Sequence, residues 1–286
     1  MTPERLDVRK TYKLFVGGAF PRSESGRSYP IHDGKGQVLA RAARASRKDL
    51  REAVRAARAA WRGWSEATAS NRGQILYRVA ELMEGRADQF AHELAGQGTR
   101  RPEREVTAAI DRWVWYAGWS DKVHHVVGTV NPVAGPYFDF TFPEPTGVVG
   151  LVAPEQPALL GLVSRLAPII VSGNTAVVVA SEGTPLPAIT LAEVLATSDV
   201  PGGVVNVLTG HKKELVPWLA GHMDVNAIDL TGVPDHLVPE VEATAAENVK
   251  RTIRDGSPDF FSEAAQSPYA VSAFMEMKTV WHPMGA

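Results

Sequence analysis

The amino-acid sequence predicts an α/β fold, a doubly wound parallel sheet covered by helices on both faces. Two observations carry that reading. Strand-length runs that are apolar almost throughout occur at 147–152 (GVVGLV), 175–179 (TAVVV), 204–208 (VVNVL) and 227–230 (AIDL). Helix-type segments follow them at 159–172, 185–197, 213–220 and 237–254. A strand with one wet face alternates apolar and polar residues, so unbroken apolar runs belong in a sheet interior. Within the series, 145–186 forms a βαβ unit of the kind that places a dinucleotide at the carboxyl ends of its strands.

Composition bounds the rest. At 286 residues the chain is long enough for one large domain or two ordinary ones. The net charge of −2 gives no basic footprint for nucleic acid. No run approaches the ~18 apolar residues of a membrane span. The opening MTPERLDVRK lacks the apolar stretch of a secretory signal, so the expected location is the cytoplasm. The cysteine count is 0, which removes disulfides, thiolate metal sites and a thiol nucleophile from this chain's repertoire.

Taken in order, YKLFVGGAF at 12–20 reads as a short strand with a turn at Gly17-Gly18, followed by a polar loop through Ser28. Ser46 with Asp49 three residues on is a capping-box pattern, and Leu50, Val54, Ala57 and Trp61 follow at helical spacing. The arginines of this helix are interleaved with Glu52 and Glu66, a solvated face rather than a nucleic-acid surface. A second helix is predicted over 72–84 and ends at Gly85. A third runs over 88–95 and stops at Gly96. A fourth starts near Pro102 and carries Trp113, Trp115, Tyr116 and Trp119, an aromatic stripe suited to core or subunit contact. His124 and His125 are adjacent and do not share a helical face, and the other histidines are scattered, so no metal site is predicted.

Between 128 and 143 the texture changes. Tyr137, Asp139 and Thr141 alternate with Phe138, Phe140 and Phe142, the period of a strand. A two-stranded ribbon is marginal alone in water and should lie against something. After Arg254 the pattern lapses into turn-rich DGSPDFFSEAAQSP, and 274–281 then resumes as a strand-like apolar tail.

The collinear run from Pro145 to Gly210 resembles the aldehyde dehydrogenase superfamily. It includes P-x-G-V-V-G, the L-A-P at 166–168, Gly173-Asn174-Thr175, Ser181-Glu182, Thr184-Pro185-Leu186 and PGGVVNVLTG at 201–210. Leu230-Thr231-Gly232 resembles the start of that family's F-T-G-S-T-x-x-G turn, and the N-terminal YKLFVGGAF and closing MEMKTVW fall in the family's order. The resemblance implies a Rossmann-like cofactor-type domain over 1–127 and 144–256 and an oligomerisation element over 128–143 and 269–286. Residues 257–268 become a linker where the catalytic domain would stand. It also implies that Tyr137, Phe138, Phe140, Phe142, Phe274, Met275, Val280 and Trp281 serve subunit contact.

Several positions depart from the family pattern. Where it has the oxyanion-stabilising Asn of P-W-N, the chain has Pro154-Glu155-Gln156. The longer Gln156 amide is either a degenerate oxyanion donor or a plain loop residue. Val179 replaces the Lys that reaches the adenosine ribose, and Ala180 the Pro after it. Val233 replaces the Ser that contacts pyrophosphate, and Leu237 the last Gly of the turn. Glu182, with Ser181, aligns with the ribose-binding position, although Glu182 reads equally as a charge at a helix N-terminus. Gly232 is the retained glycine of the pyrophosphate turn. Asp255-Gly256 is the nearest stand-in for the general-base Glu and carries little weight.

Each lost charged hydrogen bond costs ~1.5–3 kcal/mol, so two such losses weaken a dinucleotide by roughly a hundred- to ten-thousand-fold. The expectation is therefore a family member that binds NAD or NADP weakly or not at all and is inactive alone. It would act as a structural or regulatory subunit beside a full-length aldehyde dehydrogenase or a second copy of itself. The alternatives are an NAD(P)-dependent oxidoreductase subunit whose nucleophile comes from a partner, and a weak nucleotide-sensing module.

Overall fold

The computed structural model describes residues 9–254, 256 and 258–285. Its centre is a five-stranded parallel sheet of β6 (Val148–Val152), β7 (Thr175–Val179), β8 (Val205–Leu208), β9 (Ala227–Asp229) and β10 (Arg251–Ile253). The spatial order is β10-β9-β6-β7-β8, all parallel. The strand order reverses on either side of β6, as the doubly wound fold requires. Helices α6 (Ala158–Val171), α7 (Leu186–Leu195), α8 (Lys212–Gly221) and α9 (Val238–Ala246) connect the strands.

The sheet is buried on both sides because its residues divide by parity. Val149, Leu151, Ala176 and Val178 face one apolar layer with α6 and α7. Val148, Val152, Val177 and Val179 face the other, with α8 and α9. α1 (Arg47–Glu66) joins this second layer and packs across β7 and β8. The first layer is completed by α2 (Ala69–Glu84), α3 (Ala87–Gly96) and α4 (Pro102–Ala117), and Trp113 and Tyr116 are fully buried there. Of the aromatic stripe, Trp113 and Tyr116 are core, and Trp115 and Trp119 are half-buried against it.

The capping box at Ser46 is present. Its hydroxyl accepts from the N–H groups of Lys48 and Asp49, and the Asp49 carboxylate accepts from the Ser46 N–H at 2.7 Å. The same carboxylate takes the Ser23 hydroxyl at 2.7 Å and the Glu24 N–H at 3.0 Å, so the cap also anchors the preceding loop. Replacing Ser46 with alanine is expected to cost about 1 kcal/mol in urea unfolding. Along this helix Leu50, Val54 and Ala57 are buried as expected, but Trp61 is only half-buried. Trp64 instead enters the core, and its indole N–H reaches the Ile170 carbonyl at 2.9 Å.

Three expectations need correction, and one hairpin is added. The stretch 12–20 is not one strand: β1 (Thr11–Tyr12) pairs with a later strand, and Phe15 exchanges backbone hydrogen bonds with Val207. The Gly17-Gly18 turn stands, with φ of 62° and 83°. The hairpin of β2 (Ser28–His32) and β3 (Val38–Ala43) was not foreseen, since Pro30 and Gly-rich flanks hide its alternation. The predicted helix over 237–254 stops at Ala246. Val249 turns the chain at φ 57°, and β10 follows as the fifth strand, edging the sheet beside β9. Finally, the tail first forms α10 (Pro268–Ser272) before β11 (Met275–Pro283) begins.

Between α4 and the ribbon lies the short helix α5 (Val123–Val127), which carries His124 and His125. The ribbon has three strands. β5 (Tyr137–Pro145) lies between β4 (Thr129–Asn131) and β11, antiparallel to both, so the tail supplies the extra strand that a lone hairpin lacks. Phe138, Phe140 and Phe142 stack in a ladder along one face, with centroids 5.4 and 6.0 Å apart. Among the described residues no helix is long and apolar enough to cross a membrane.

Candidate functional site

In an open parallel sheet, ligands lie outside the carboxyl ends of the strands, where the order reverses. Here that point is between β6 and β9. The loop leaving β6 runs through Ala153, Pro154, Glu155 and Gln156, and the turn leaving β9 through Thr231 and Gly232. They are drawn together by the Gly232 N–H, which donates to the Val152 carbonyl at 3.0 Å. A Cβ on Gly232 would sit 2.1 Å from the Ala153 oxygen, so glycine is needed for this close approach.

Lys212, the first residue of α8, reaches into the gap. Its side chain is 2% exposed. An ammonium has three N–H donors, and all three find acceptors: the Ala153 carbonyl at 2.7 Å, the Gly232 carbonyl at 2.9 Å and a Glu155 carboxylate oxygen. The lysine thus ties the β6 and β9 loops to each other. Glu155 is equally committed. Besides Lys212 it accepts from the Ser181 hydroxyl at 2.8 Å and from the N–H groups of Glu182 and Gly183, both at 3.1 Å. A carboxylate offers about four lone-pair sites, and these donors take them all.

The charges answer to their surroundings. Burial pushes the Glu155 carboxyl up, but the Lys212 ammonium and the two backbone N–H groups outweigh it and hold its pKa below the usual carboxylate value. Burial pushes Lys212 below an ordinary lysine, and the charges of Glu155 and Glu182 oppose that fall. Glu182 spans from the loop after β7 to the start of α8: its carboxylate accepts from the N–H of Lys212 at 3.0 Å and lies 2.6 Å from His211 Nδ1.

The sequence-predicted residues therefore gather at one place, in a network that the sequence did not foretell. Ser181 is 2% exposed, and its hydroxyl is engaged by Glu155 and by the Thr184 N–H. Val179 lies beneath the helices, wholly buried, and Val233 packs into the same apolar layer with Leu237 against it. Gln156 is exposed, and its amide donates to the Thr184 hydroxyl at 3.2 Å. Asp255 lies outside the described residues. Neither Glu155 nor Lys212 was singled out for this role. The only signal was a glutamate in the family's P-W-N position.

The helix after the β6 loop is also internally capped. The buried Glu105 of α4 accepts from the N–H groups of Leu159 and Leu160, at 2.7 and 3.2 Å. Within the segment expected as a linker, residues 258–268 are tied to the body of the chain. Phe260 is buried, and the Arg112 guanidinium donates to the Phe260 carbonyl, the Ala265 carbonyl and the Ser164 hydroxyl within 2.9 Å. Among the described residues no three His, Asp or Glu side chains are grouped to hold a metal ion. On the ribbon, Phe274 and Met275 are buried within this chain's own body. Of the other ribbon residues expected at a subunit contact, Tyr137 and Trp281 are exposed on one face, and Phe138 is exposed on the other with the half-buried Phe140, Phe142 and Val280.

The sequence profile of the aldehyde dehydrogenase family matches residues 21–256. The chain belongs to the aldehyde dehydrogenase family. Human retinal dehydrogenase 2 is 33% identical over 277 residues, covering 93% of this chain and 53% of that protein. Omega-crystallin of Enteroctopus dofleini is 32% identical over 257 residues, covering 87% and 51%. Among solved structures, the NAD+ complex of aldehyde dehydrogenase from Bacillus cereus superposes with a TM-score of 0.78 at 26% identity. That superposition covers 85% of this chain and 50% of the other. This aldehyde dehydrogenase family chain thus spans about half the length of the relatives it matches. Its doubly wound sheet is the fold expected from the resemblance.

Proposed function

We propose that this aldehyde dehydrogenase family chain is catalytically inactive alone and acts as a structural or regulatory subunit. It would pair its ribbon with a full-length aldehyde dehydrogenase. The observation that carries this reading is the three-stranded ribbon β11-β5-β4. It exposes apolar side chains on both faces, Val130 at 68% and Phe138 at 44% on one and Trp281 at 59%, beside Tyr137, on the other. An exposed apolar patch of this kind marks an interaction surface in a protein whose core is otherwise well covered. The outer edge of β11 also offers backbone groups to a further strand. The sequence adds that no thiol nucleophile can come from this chain, with 0 cysteines. Co-expression with a full-length relative followed by size-exclusion chromatography tests the pairing. Co-elution is expected, and independent elution at micromolar concentration would sink the proposal.

A second reading, an NAD(P)-linked oxidoreductase subunit completed by a partner's nucleophile, is favoured by one observation. Ser181, Glu182 and Gly232 converge at the switch point of a sheet whose relative from Bacillus cereus was solved with NAD+. Quenching of this chain's 7 tryptophans by NAD or NADP discriminates the two. Saturation below about 100 μM, inside the usual micromolar-to-millimolar range for enzyme ligands, would favour the second.

A further inference from the structure

The family implies a dinucleotide at the crevice between β6 and β9, but the residues present there do not fit one. A nucleotide in a doubly wound sheet is held by donors at the strand ends and helix N-termini, which receive its phosphate and ribose oxygens. In this chain the donors after β6, β7 and β8 already have acceptors. The N–H groups of Glu182 and Gly183 and the Ser181 hydroxyl point at the Glu155 carboxylate. The N–H of Lys212 at the start of α8 points at Glu182, and those of Leu159 and Leu160 at the start of α6 point at Glu105. Three separate anion positions are each held by a carboxylate of the protein itself.

We propose that Glu155 and Lys212 are specificity determinants that exclude dinucleotides, an internal ion pair standing where the ligand's polar groups would be received. The two residues act as a unit. Lys212 sits between the Ala153 and Gly232 carbonyls and ties the loop after β6 to the turn after β9, so the crevice is bridged as well as neutralised. Glu155 lies across the loop after β7, its side chain 48% exposed and its carboxylate engaged by Ser181, Glu182 and Gly183. A pyrophosphate entering here would have to displace the Glu155 carboxylate from these donors before they could receive it. The loss of polar side chains at Val179 and Val233 removes attraction. The Glu155–Lys212 pair goes further and supplies a competitor.

This inference concerns the crevice alone and does not rest on the subunit pairing. Its test therefore uses the isolated chain with NAD, NADP and ADP-ribose as probes. The parent protein should give no saturable tryptophan quenching and no rise in melting temperature with any of the three up to millimolar concentration. The double variant Glu155→Ala/Lys212→Ala should gain a saturable response at least about tenfold stronger than the parent's, the change expected when a competing charged contact is removed. Saturable binding by the parent near 100 μM or below overturns the proposal, as does a folded double variant that binds no better than the parent.

A second measurement stands even if the double variant fails to fold. Native-state labelling of the parent with an amine-reactive reagent, read by mass spectrometry, compares buried Lys212 with its exposed neighbour Lys213. Lys213 should be labelled and Lys212 protected, and millimolar NAD should leave both unchanged. Equal labelling, or a change at Lys212 on adding NAD, contradicts the internal pair. Failure of either measurement leaves the pairing proposal untouched.

Discussion

Replacing Asp229 with alanine is expected to destabilise the chain by about 3–5 kcal/mol, the cost of breaking a buried ion pair by removing one partner. Asp229 ends β9 beside the switch point, and its side chain is 0% exposed. One carboxylate oxygen meets Arg165 Nε of α6 at 2.6 Å, and that arginine's side chain is only 5% exposed. The other oxygen accepts the Thr231 N–H at 2.9 Å and so starts the turn that leads to Gly232. The alanine variant takes away a buried counter-charge and a turn-forming acceptor together. A protein of this size is stable by about 5–15 kcal/mol in all, so the loss is a large share. Urea unfolding followed by tryptophan fluorescence measures it. Asp229→Asn, which keeps an acceptor in place, should fall between parent and alanine.

The Gly232→Ala variant is expected to lie at or above the upper end of the ~1–3 kcal/mol that overpacking usually costs. The added methyl would be placed 2.1 Å from the Ala153 oxygen, 2.3 Å from its carbonyl carbon and 2.4 Å from the Val152 oxygen. All three are backbone atoms at the end of the central strand, so no side chain can swing aside. Either the turn after β9 moves away or β6 bends. Movement of the turn would also pull the Gly232 carbonyl from Lys212. Gly183→Ala is the control: its nearest neighbour would be a Glu155 carboxylate oxygen at 3.6 Å, an ordinary contact. Its effect on unfolding should stay within about 0.5 kcal/mol, as for surface substitutions generally.

Much of the scaffold was legible in the sequence, for a physical reason. Strands β6 to β9 are buried on both faces, and such strands are written as apolar runs that need no partner to be recognised. The Ser46 cap is equally local, since its groups lie within one helical turn. β10 was hidden because Arg251-Thr252-Ile253 is short and follows an amphipathic helix without a break. The turn comes at Val249, a residue type that seldom takes positive φ and so gives no warning. Ser181, Glu182 and Gly232 of the crevice are legible in the sequence, but Lys212 and the engagement of Glu155 are not. Glu155, Lys212 and the Ser181–Gly183 loop leave different strands and meet only when the sheet is assembled. A glutamate and a lysine far apart in sequence each read as solvated charges until the topology brings them together. Phe274 and Met275 were misplaced for the converse reason. They precede the exposed part of β11 by only a few residues, and strand periodicity does not say where a strand leaves the body.

On the proposed reading, this aldehyde dehydrogenase scaffold serves assembly through its ribbon. Native mass spectrometry of the chain co-expressed with a full-length aldehyde dehydrogenase, repeated with Phe138→Glu and Trp281→Glu, tests it most directly. Phe138 is 44% and Trp281 59% exposed, at the solvent end of the ribbon, so each variant should leave the body of the fold intact. The account predicts a mixed assembly with the parent chain, lost or weakened at least about tenfold in one or both variants, the effect of burying an unpaired charge in an interface. A parent chain that stays alone at micromolar concentration, or a mixed assembly indifferent to both substitutions, would contradict it.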